Sequence, residues 1–449
     1  MSTPTHISVD GIADLVTGDA VEERYRTDRS GYIAPGRPEA VVRAHTVEDV
    51  QAAVRYAAGA GLAVVPRGAG TGLAGGAAAG AGSLVIDLTG LNRIADISPG
   101  EDLAVVEAGV ITADLDAAAA EVGLRYAPDP ASAAISTIGG NIATNAGGLR
   151  CVKYGVTGDS VLGLSVVLAD GTLLHTGRRT AKGVAGLDLT SLFTGSEGTL
   201  GVIVGATVRL QPIPLRTVTI AARFDDVETA AAATSRVLAE RVRPAIMELL
   251  DEASTRRAQD HLGLDGAASG AFVVAQTDGF GADTEAQIVA DTFRTFTSRV
   301  DVGSDPETVE RLLAVRRAAL PALEALGRPL IEDIAVPRPR IADAARAVTT
   351  IADSHRVPIF LFGHAGDGNL HPIIVVPDDP TADARAEQAA ADIFALALDL
   401  GGTITGEHGI GVLKRRWLAK ETGEESLSVQ RAIRAALDPQ LLFNPGKVF

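Results

Sequence analysis

A chain of 449 residues is too long for one simple core, so two or more domains are expected. Its 46% hydrophobic and 21% charged residues are those of a globular protein, and no run of about 20 apolar residues predicts a membrane-spanning helix. A net charge of −16 and an aromatic content of 4% argue against nucleic acid, as a phosphate backbone or as stacked single strands.

One cysteine, Cys151, excludes an internal disulfide framework and a cysteine-ligated iron–sulfur cluster. Met1 to Val16 shows no basic region followed by an apolar run, so a cytoplasmic protein is expected, with peripheral membrane association left open.

From Pro35 the pattern alternates strands and helices. Thr46 can N-cap a helix carrying Val47, Val50, Val54 and Ala57 at helical spacing. The strand Leu62–Pro66 follows, then a glycine-rich loop over 68–82 and the strand Leu84–Leu88. Leu103–Ala108 reads as a strand, Ala113–Val122 as a helix, and a second glycine-rich block spans Ile138 to Gly148. Val161–Leu168 and Leu173–His175 flank Asp170-Gly171, which predicts a hairpin with a type I′ turn. A third block, Gly195 to Gly201, precedes the strand Leu200–Leu210, and Gln211-Pro212-Ile213-Pro214 marks a boundary.

Beyond it, Val218–Phe224, Ala230–Leu238, Ala271–Thr277 and Thr284–Phe296 predict strand, helix, strand, helix, as in a ferredoxin-like unit. Helices follow near 306–320 and 340–354. Pro358–Phe362 and Pro372–Val376 pair as a second hairpin, and Ala386, Ala389, Ala390, Ile393, Phe394 and Ala397 make one helical face. Residues 403–449 read as a short, glycine-punctuated tail. The expected division is an N-terminal segment 1–34, a cofactor domain 35–213, a cap domain 214–402 and a C-terminal segment 403–449 returning to the cofactor domain.

Gly70-Thr71-Gly72-Leu73-Ala74-Gly75 satisfies G-x-G-x-x-G after a strand, but the run to Gly82 is too glycine-rich for the helix a Rossmann site needs. Asp87, the nearest strand-end acid, also comes too soon. Consecutive glycines still let backbone N–H groups converge on phosphate oxygens. Three such blocks in one domain point to a large dinucleotide.

Pro66-Arg67-Gly68-Ala69-Gly70-Thr71-Gly72, the Gly139–Gly148 block, Gly195–Gly201 and Asn444-Pro445-Gly446-Lys447 resemble the FAD-binding domain of the vanillyl-alcohol-oxidase fold. Within it the chain is similar to the D-2-hydroxyacid dehydrogenase, D-lactate dehydrogenase and glycolate oxidase catalytic-subunit branch. The fold so implied is α+β, a vanillyl-alcohol-oxidase (PCMH-type) FAD domain with a ferredoxin-like α/β cap for substrate. By that resemblance Pro66, Arg67, Gly68, Ala69, Gly70, Thr71, Gly72 and Leu73 hold the pyrophosphate. Pro128, Asp129, Ser132, Gly139, Gly140, Asn141, Thr144, Asn145, Gly147 and Gly148 line FAD. Glu197, Gly198, Gly201, Val202, Ile203 and Asn444 complete the cofactor set. No histidine sits in the first loop, so non-covalent FAD is expected.

Gly363-His364-Ala365-Gly366-Asp367-Gly368-Asn369-Leu370-His371 joins two apolar strands, so His364 and His371 should face each other across a hairpin mouth and converge on one ion. Glu407-His408 supplies a third ligand. A lone histidine is usually a core or capping residue, but three of the eight histidines fall in these two motifs. The resemblance places His364, His371 and Glu407 as metal ligands and His408 beside the substrate as general base. Two histidines and a carboxylate suit Zn²⁺, with Mn²⁺ or Fe²⁺ chemically admissible. The implied reaction takes the hydroxyl proton to His408 and hydride from C2 to flavin N5, giving a 2-oxo acid.

Val309, Leu312, Leu313, Arg316, Leu320 and Leu323 follow helical spacing, which puts Arg316 on an apolar face. It must then pair with an anion or snorkel outward, and the resemblance gives it the substrate carboxylate. The hydroxyglutarate-specific branch has a threonine, a lysine and an asparagine where this chain carries Leu320, Ile331 and Ile373. A small monocarboxylic substrate such as D-lactate, glycolate or a longer aliphatic hydroxy acid is therefore expected over D-2-hydroxyglutarate. The alternatives are a D-2-hydroxyglutarate dehydrogenase, a non-redox flavoenzyme resembling alkylglycerone-phosphate synthase, and a non-catalytic FAD subunit, which would lack the metal ligands. Electrons must pass to an external acceptor or a partner subunit, and a homodimer is left open.

Overall fold

The computed structural model describes residues 12, 14–264 and 269–449. Most of the Met1 to Val16 stretch, and with it part of the 1–34 segment, therefore lies outside the described residues. The chain divides into two compact units, 1–148 with 155–213 and 407–449, and Leu149–Tyr154 with Pro214–Gly406. The second unit thus runs four residues past the expected boundary at 402 and takes six residues from beside the second glycine block. Two of the six are tied to Asp278: Lys153 Nζ donates to its carbonyl at 3.0 Å and Tyr154 Oη to its carboxylate at 2.6 Å.

In the first unit a four-stranded sheet runs in the order Leu15–Thr17, Ala40–Arg43, Ser83–Asp87, Ala63–Arg67, the last three strands parallel. The Val47–Ala60 helix crosses it, closed at its start by the Thr46–Asp49 capping box, a device that contributes about 1 kcal/mol. Val50, Ala53, Val54 and Ala57 are buried against Val64, Leu84 and Ile86. A second, antiparallel sheet has the order Ile94–Ser98, Leu103–Glu107, Val202–Arg209, Val161–Val167, Leu173–Gly177.

Three expectations for this unit are corrected. The 168–172 hairpin turn is not type I′, because only Gly171 has positive φ (+81°). Gly171 N donates to Leu168 O and Leu168 N to Thr172 O, a three-residue loop that closes with glycine in the left-handed region. The second glycine block is not a loop throughout, since Ile138–Thr144 is helical, with Thr137 accepting from Gly140 N. Finally, the C-terminal tail carries a long helix, Arg415–Leu437, with Gly423 (φ +78°) interrupting it. Its low apolar content hides its periodicity, only Trp417, Leu418, Leu427 and Arg434 being buried.

The second unit is built on one antiparallel sheet of eight strands. Its first four, Thr217–Phe224, Ile246–Leu250, Ala271–Asp278 and Val300–Gly303, lie in the spatial order fourth, first, third, second. That is the ferredoxin-like arrangement expected, but the sequence reading omitted Ile246–Leu250 and the Glu252–His261 helix that follows. That strand is buried on both faces, so it lacks the alternation that marks a half-exposed one. The sheet continues through Ile359–His364, Asn369–Val376 and Arg328–Ile331. The Ala382–Asp399 helix buries the six residues expected of its apolar face, and the Pro306–Glu324 helix runs on through Pro321.

Candidate functional site

The first glycine loop leaves the Ala63–Arg67 strand and curls over the buried Arg67 side chain. Arg67 Nη1 donates to Thr27 O at 2.8 Å and Ala77 O at 2.9 Å. Lys447, also buried, donates to Gly76 O at 2.8 Å, Ala78 O at 2.7 Å and Asn444 Oδ1 at 3.0 Å. Burial pushes Lys447 down to about 7, yet only the ammonium form can serve three acceptors at once. Loop carbonyls thus turn inward onto two cations. Among the described residues the amide N–H groups of Gly68, Ala69, Gly70, Thr71, Gly72 and Leu73 donate to no protein acceptor. A row of unserved donors over buried positive charge is what an anionic pyrophosphate requires.

The other blocks converge on this loop. A Cβ at Gly68 would collide with Thr137 Oγ1, and one at Gly198 would lie 3.2 Å from Pro66 Cγ and 3.1 Å from Asn444 Nδ2. Gly195 N donates to Ile142 O at 2.9 Å and Glu197 N to Ala143 O at 2.7 Å, so the third block is bonded to the second. Gly148 packs on the Asp129 carbonyl, beside the buried Pro128, and Ser132 is half-buried with its carbonyl accepting from Ile135 and Ser136. The structure therefore brings together Pro66, Gly68, Gly198, the second block and Asn444.

Several side chains in the expected cofactor set serve the protein instead. Asn141 Nδ2 donates to Thr112 Oγ1, Thr144 Oγ1 to Gly140 O, and Asn145 Oδ1 accepts from Gly158 N. Gly139 packs on Ala108 and Gly201 on Val166, while Val202 and Ile203 are buried. Those three side-chain atoms are engaged within the protein, and the two packed glycines leave no room for a side chain. An alanine at Gly70 tests the cradle, because φ is +74° and its Cβ would strike Arg67 Nη2. The backbone alone costs about 1–2 kcal/mol there, so FAD affinity should fall roughly tenfold. An unchanged Kd in apoprotein titration would remove this loop from the cofactor site.

In the second unit the His364–His371 hairpin differs in register from the expectation. His364 stands opposite Asn369, and His371 opposite Phe362. The tight turn, in which Asp367 N and Gly368 N both donate to His364 O, fixes that offset. The two histidines are diagonal neighbours on one face, not direct partners, and the diagonal still lets their rings meet. Their Nε2 atoms lie 3.4 Å apart. Both side chains are buried, at 7% and 6% exposure, where an imidazole pair needs a reason to be. Tetrahedral bonds of about 2.0–2.1 Å to one ion would separate two nitrogens by about 3.4 Å.

Two buried carboxylates back the pair. Glu248 Oε1 meets His364 Nδ1 at 2.7 Å, and its Oε2 accepts from Arg316 Nε at 2.8 Å. Burial pushes the Glu248 carboxyl up, but His364 and Arg316 more than offset this and hold it below the ordinary range. Asp333 Oδ1 lies 3.8 Å from His371 Nδ1 and accepts from Asn369 Nδ2, while Oδ2 accepts from Thr405 Oγ1. With Nδ1 donating to a carboxylate, His364 presents the Nε2 lone pair, the outer-shell arrangement of metal-binding histidines. Arg316 thus has a protein anion on Nε, with its guanidinium 4.8 Å above the Phe362 ring. Glu248 and Asp333 escaped sequence reading; the usable signal was a single acid inside the apolar run Ile246-Met247-Glu248-Leu249-Leu250.

In the first unit Glu407 and His408 follow directly on Gly406, the last residue of the second unit. Gly406 packs on Asn369, which is the strand partner of His364. His408 Nε2 lies 3.9 Å from Glu407 Oε1, and the Glu407 carboxylate presses on Gly147.

A dinucleotide cradle of this construction, in a chain that also carries a ferredoxin-like unit, is that of an FAD-binding protein. Residues 213–448 match the FAD linked oxidases, C-terminal domain, and residues 38–177 the FAD binding domain. The chain belongs to the FAD-linked oxidase family. It is 41% identical to "Glycolate oxidase subunit GlcD" of Bacillus subtilis (strain 168), over 92% of this chain and 89% of the relative. It is 32% identical to "D-lactate dehydrogenase" of Anaerostipes hadrus, over 97% and 94%. It is 37% identical to "D-2-hydroxyglutarate dehydrogenase" of Xanthomonas citri pv. viticola, also over 97% and 94%. The fold is that of 4-ethylphenol oxidase from Gulosibacter chungangensis, with a TM-score of 0.79 at 17% identity over 100% of this chain and 98% of that one. Among the described residues no helix is long and apolar enough to cross a membrane.

Proposed function

We propose that the protein oxidises a small D-2-hydroxy acid to the 2-oxo acid, with non-covalent FAD and a divalent ion held by His364, His371 and Glu407. The observation that carries this reading is the buried His364–His371 pair, 3.4 Å apart and backed by Glu248 and Asp333. The names of these three relatives, each a hydroxy-acid enzyme or a subunit of one, support the substrate class. When bound, FAD accepts two electrons and the ion acts as a Lewis acid toward the α-hydroxyl.

The protein's own groups do the rest. Glu248 fixes the His364 tautomer and draws Arg316 toward the same spot, where its terminal nitrogens receive the substrate carboxylate. His408 takes the hydroxyl proton. Zn²⁺ fits the two-histidine, one-carboxylate set best. Electrons leave to an external acceptor or a partner subunit.

Leu320, Ile331 and Ile373 belong to one apolar cluster with Phe360 and Phe362, and Ile331 pairs directly with Ile373. Leu320, Ile331 and Ile373 themselves offer a second substrate carboxylate no polar group. We therefore expect kcat/KM on D-lactate or D-2-hydroxybutyrate to exceed that on D-2-hydroxyglutarate about 10–100-fold, the cost of an unserved polar group. Stopped-flow flavin reduction over D- and L-acids, with and without chelator, checks this. A preference for hydroxyglutarate would overturn the substrate assignment, and turnover indifferent to chelator would remove the metal.

A further inference from the structure

The third glycine block holds an acid whose every polar group is already engaged by the protein. Glu197 N donates to Ala143 O at 2.7 Å, and its carbonyl accepts from Asn444 Nδ2 at 2.7 Å. Its Oε1 accepts from Ile410 N at 2.7 Å and its Oε2 from Gly411 N at 2.8 Å. Both carboxylate oxygens are thereby committed to the 410–411 backbone; burial pushes the group up to about 7, and the two N–H donors favour its ionised form.

The residue is also held in the left-handed region at φ +50°, a conformation that costs a non-glycine residue about 1–2 kcal/mol and survives only where its surroundings over-determine it. Gly409 (φ +84°) fits against the carboxylate, since a Cβ there would lie 2.9 Å from Glu197 Cδ. On the far side Val412 N donates to Ala74 O and Val448 N to Gly411 O, both at 2.9 Å. Residues 409–412 are thereby gripped between Glu197, the first glycine loop and the C-terminus, and Glu407-His408 emerge directly from that grip.

We propose that Glu197 is a positioning residue for Glu407 and His408, anchoring their backbone through Ile410 and Gly411, and not a ligand of FAD. This rests on the metal and base roles proposed above. Its two charge-assisted bonds set where the Glu407 carboxylate and the His408 ring begin. Glutamine at 197 keeps the size and one acceptor but turns an N–H₂ toward an amide N–H; alanine removes both acceptors.

The test compares wild type, Glu197→Gln and Glu197→Ala as full chains. FAD affinity is read by titrating apoprotein, Zn²⁺ affinity by metal analysis and titration, anchoring by hydrogen exchange of peptides over 405–412, and turnover by kcat and KM. Expected are an FAD Kd within about threefold of wild type, with Zn²⁺ affinity falling about 10–100-fold from wild type to Gln and further to Ala. Exchange over 405–412 should quicken, and kcat should fall and recover in Glu197→Gln with added Zn²⁺, which a general loss of stability would not allow. Lost FAD affinity with intact Zn²⁺ binding overturns the inference, as does no change in either. If wild type itself binds no metal, the proposed function fails; exchange over 405–412 at constant FAD affinity then decides this inference alone. Should both variants fail to fold, Gly409→Ala, which presses on the carboxylate from the opposite side, is read by the same measurements, with the same outcomes deciding.

Discussion

His371→Ala is expected to lower kcat on a 2-hydroxy acid about a thousandfold while leaving the flavin bound. The size follows from the several kcal/mol a Lewis acid contributes at a reacting oxygen, at 1.36 kcal/mol for each tenfold. The cofactor should stay because the residues expected to hold FAD, from Pro66 to Asn444, lie in the first unit, and His371 belongs to a strand of the second. Substitution leaves Nε2 of His364 without its neighbour at 3.4 Å, and with one imidazole lost the site should no longer hold the proposed ion. Metal analysis and the flavin absorbance spectrum of the purified variant separate the two effects. A variant with wild-type metal content and full flavin reduction by substrate would dismiss His371 as a ligand.

Glu248→Ala should be the most destabilising single change at the site. The carboxylate is fully buried and bridges Arg316 and His364. Its removal strands a guanidinium that is only 15% exposed and an imidazole that is 7% exposed. Breaking a buried pair in this way costs about 3–5 kcal/mol, because the remaining charge has lost its counter-ion and cannot recover its water. In a unit of this size that corresponds to a Tm lower by roughly 6–20 °C. Glu248→Gln keeps the shape and one acceptor and should recover much of the stability, but its neutral amide holds Arg316 in place less firmly. Its deficit should therefore appear as a raised KM for the hydroxy acid. Calorimetry on both variants, with kcat and KM for Gln, checks the pair. An alanine variant as stable as wild type would mean that the bridge carries no weight.

Much of the second unit was legible because its strands and helices keep their periods. The Ala382–Asp399 helix and the 359–376 hairpin announce themselves through apolar spacing and the turn between them. Ile246–Leu250 did not, since a strand buried on both faces shows no alternation, and with it went Glu248. The Arg415–Leu437 helix was missed for the opposite reason, too little apolar surface for a stripe. The hairpin expectation assigned the two histidines to facing positions, whereas the turn offsets them by one diagonal step.

By itself the sequence determined the chemistry on offer. Glycine runs point to a dinucleotide, and two histidines seven residues apart with a Glu-His pair supply side chains that could hold an ion. Only the tertiary structure decided which groups face outward. Glu197, Asn141 and Arg67 sit in the right motifs, yet long-range partners at Ile410 and Gly411, at Thr112, and at Thr27 and Ala77 turn their side chains into the protein. A buried polar group must find a partner, and that partner is set by the fold at distances along the chain that no local pattern records.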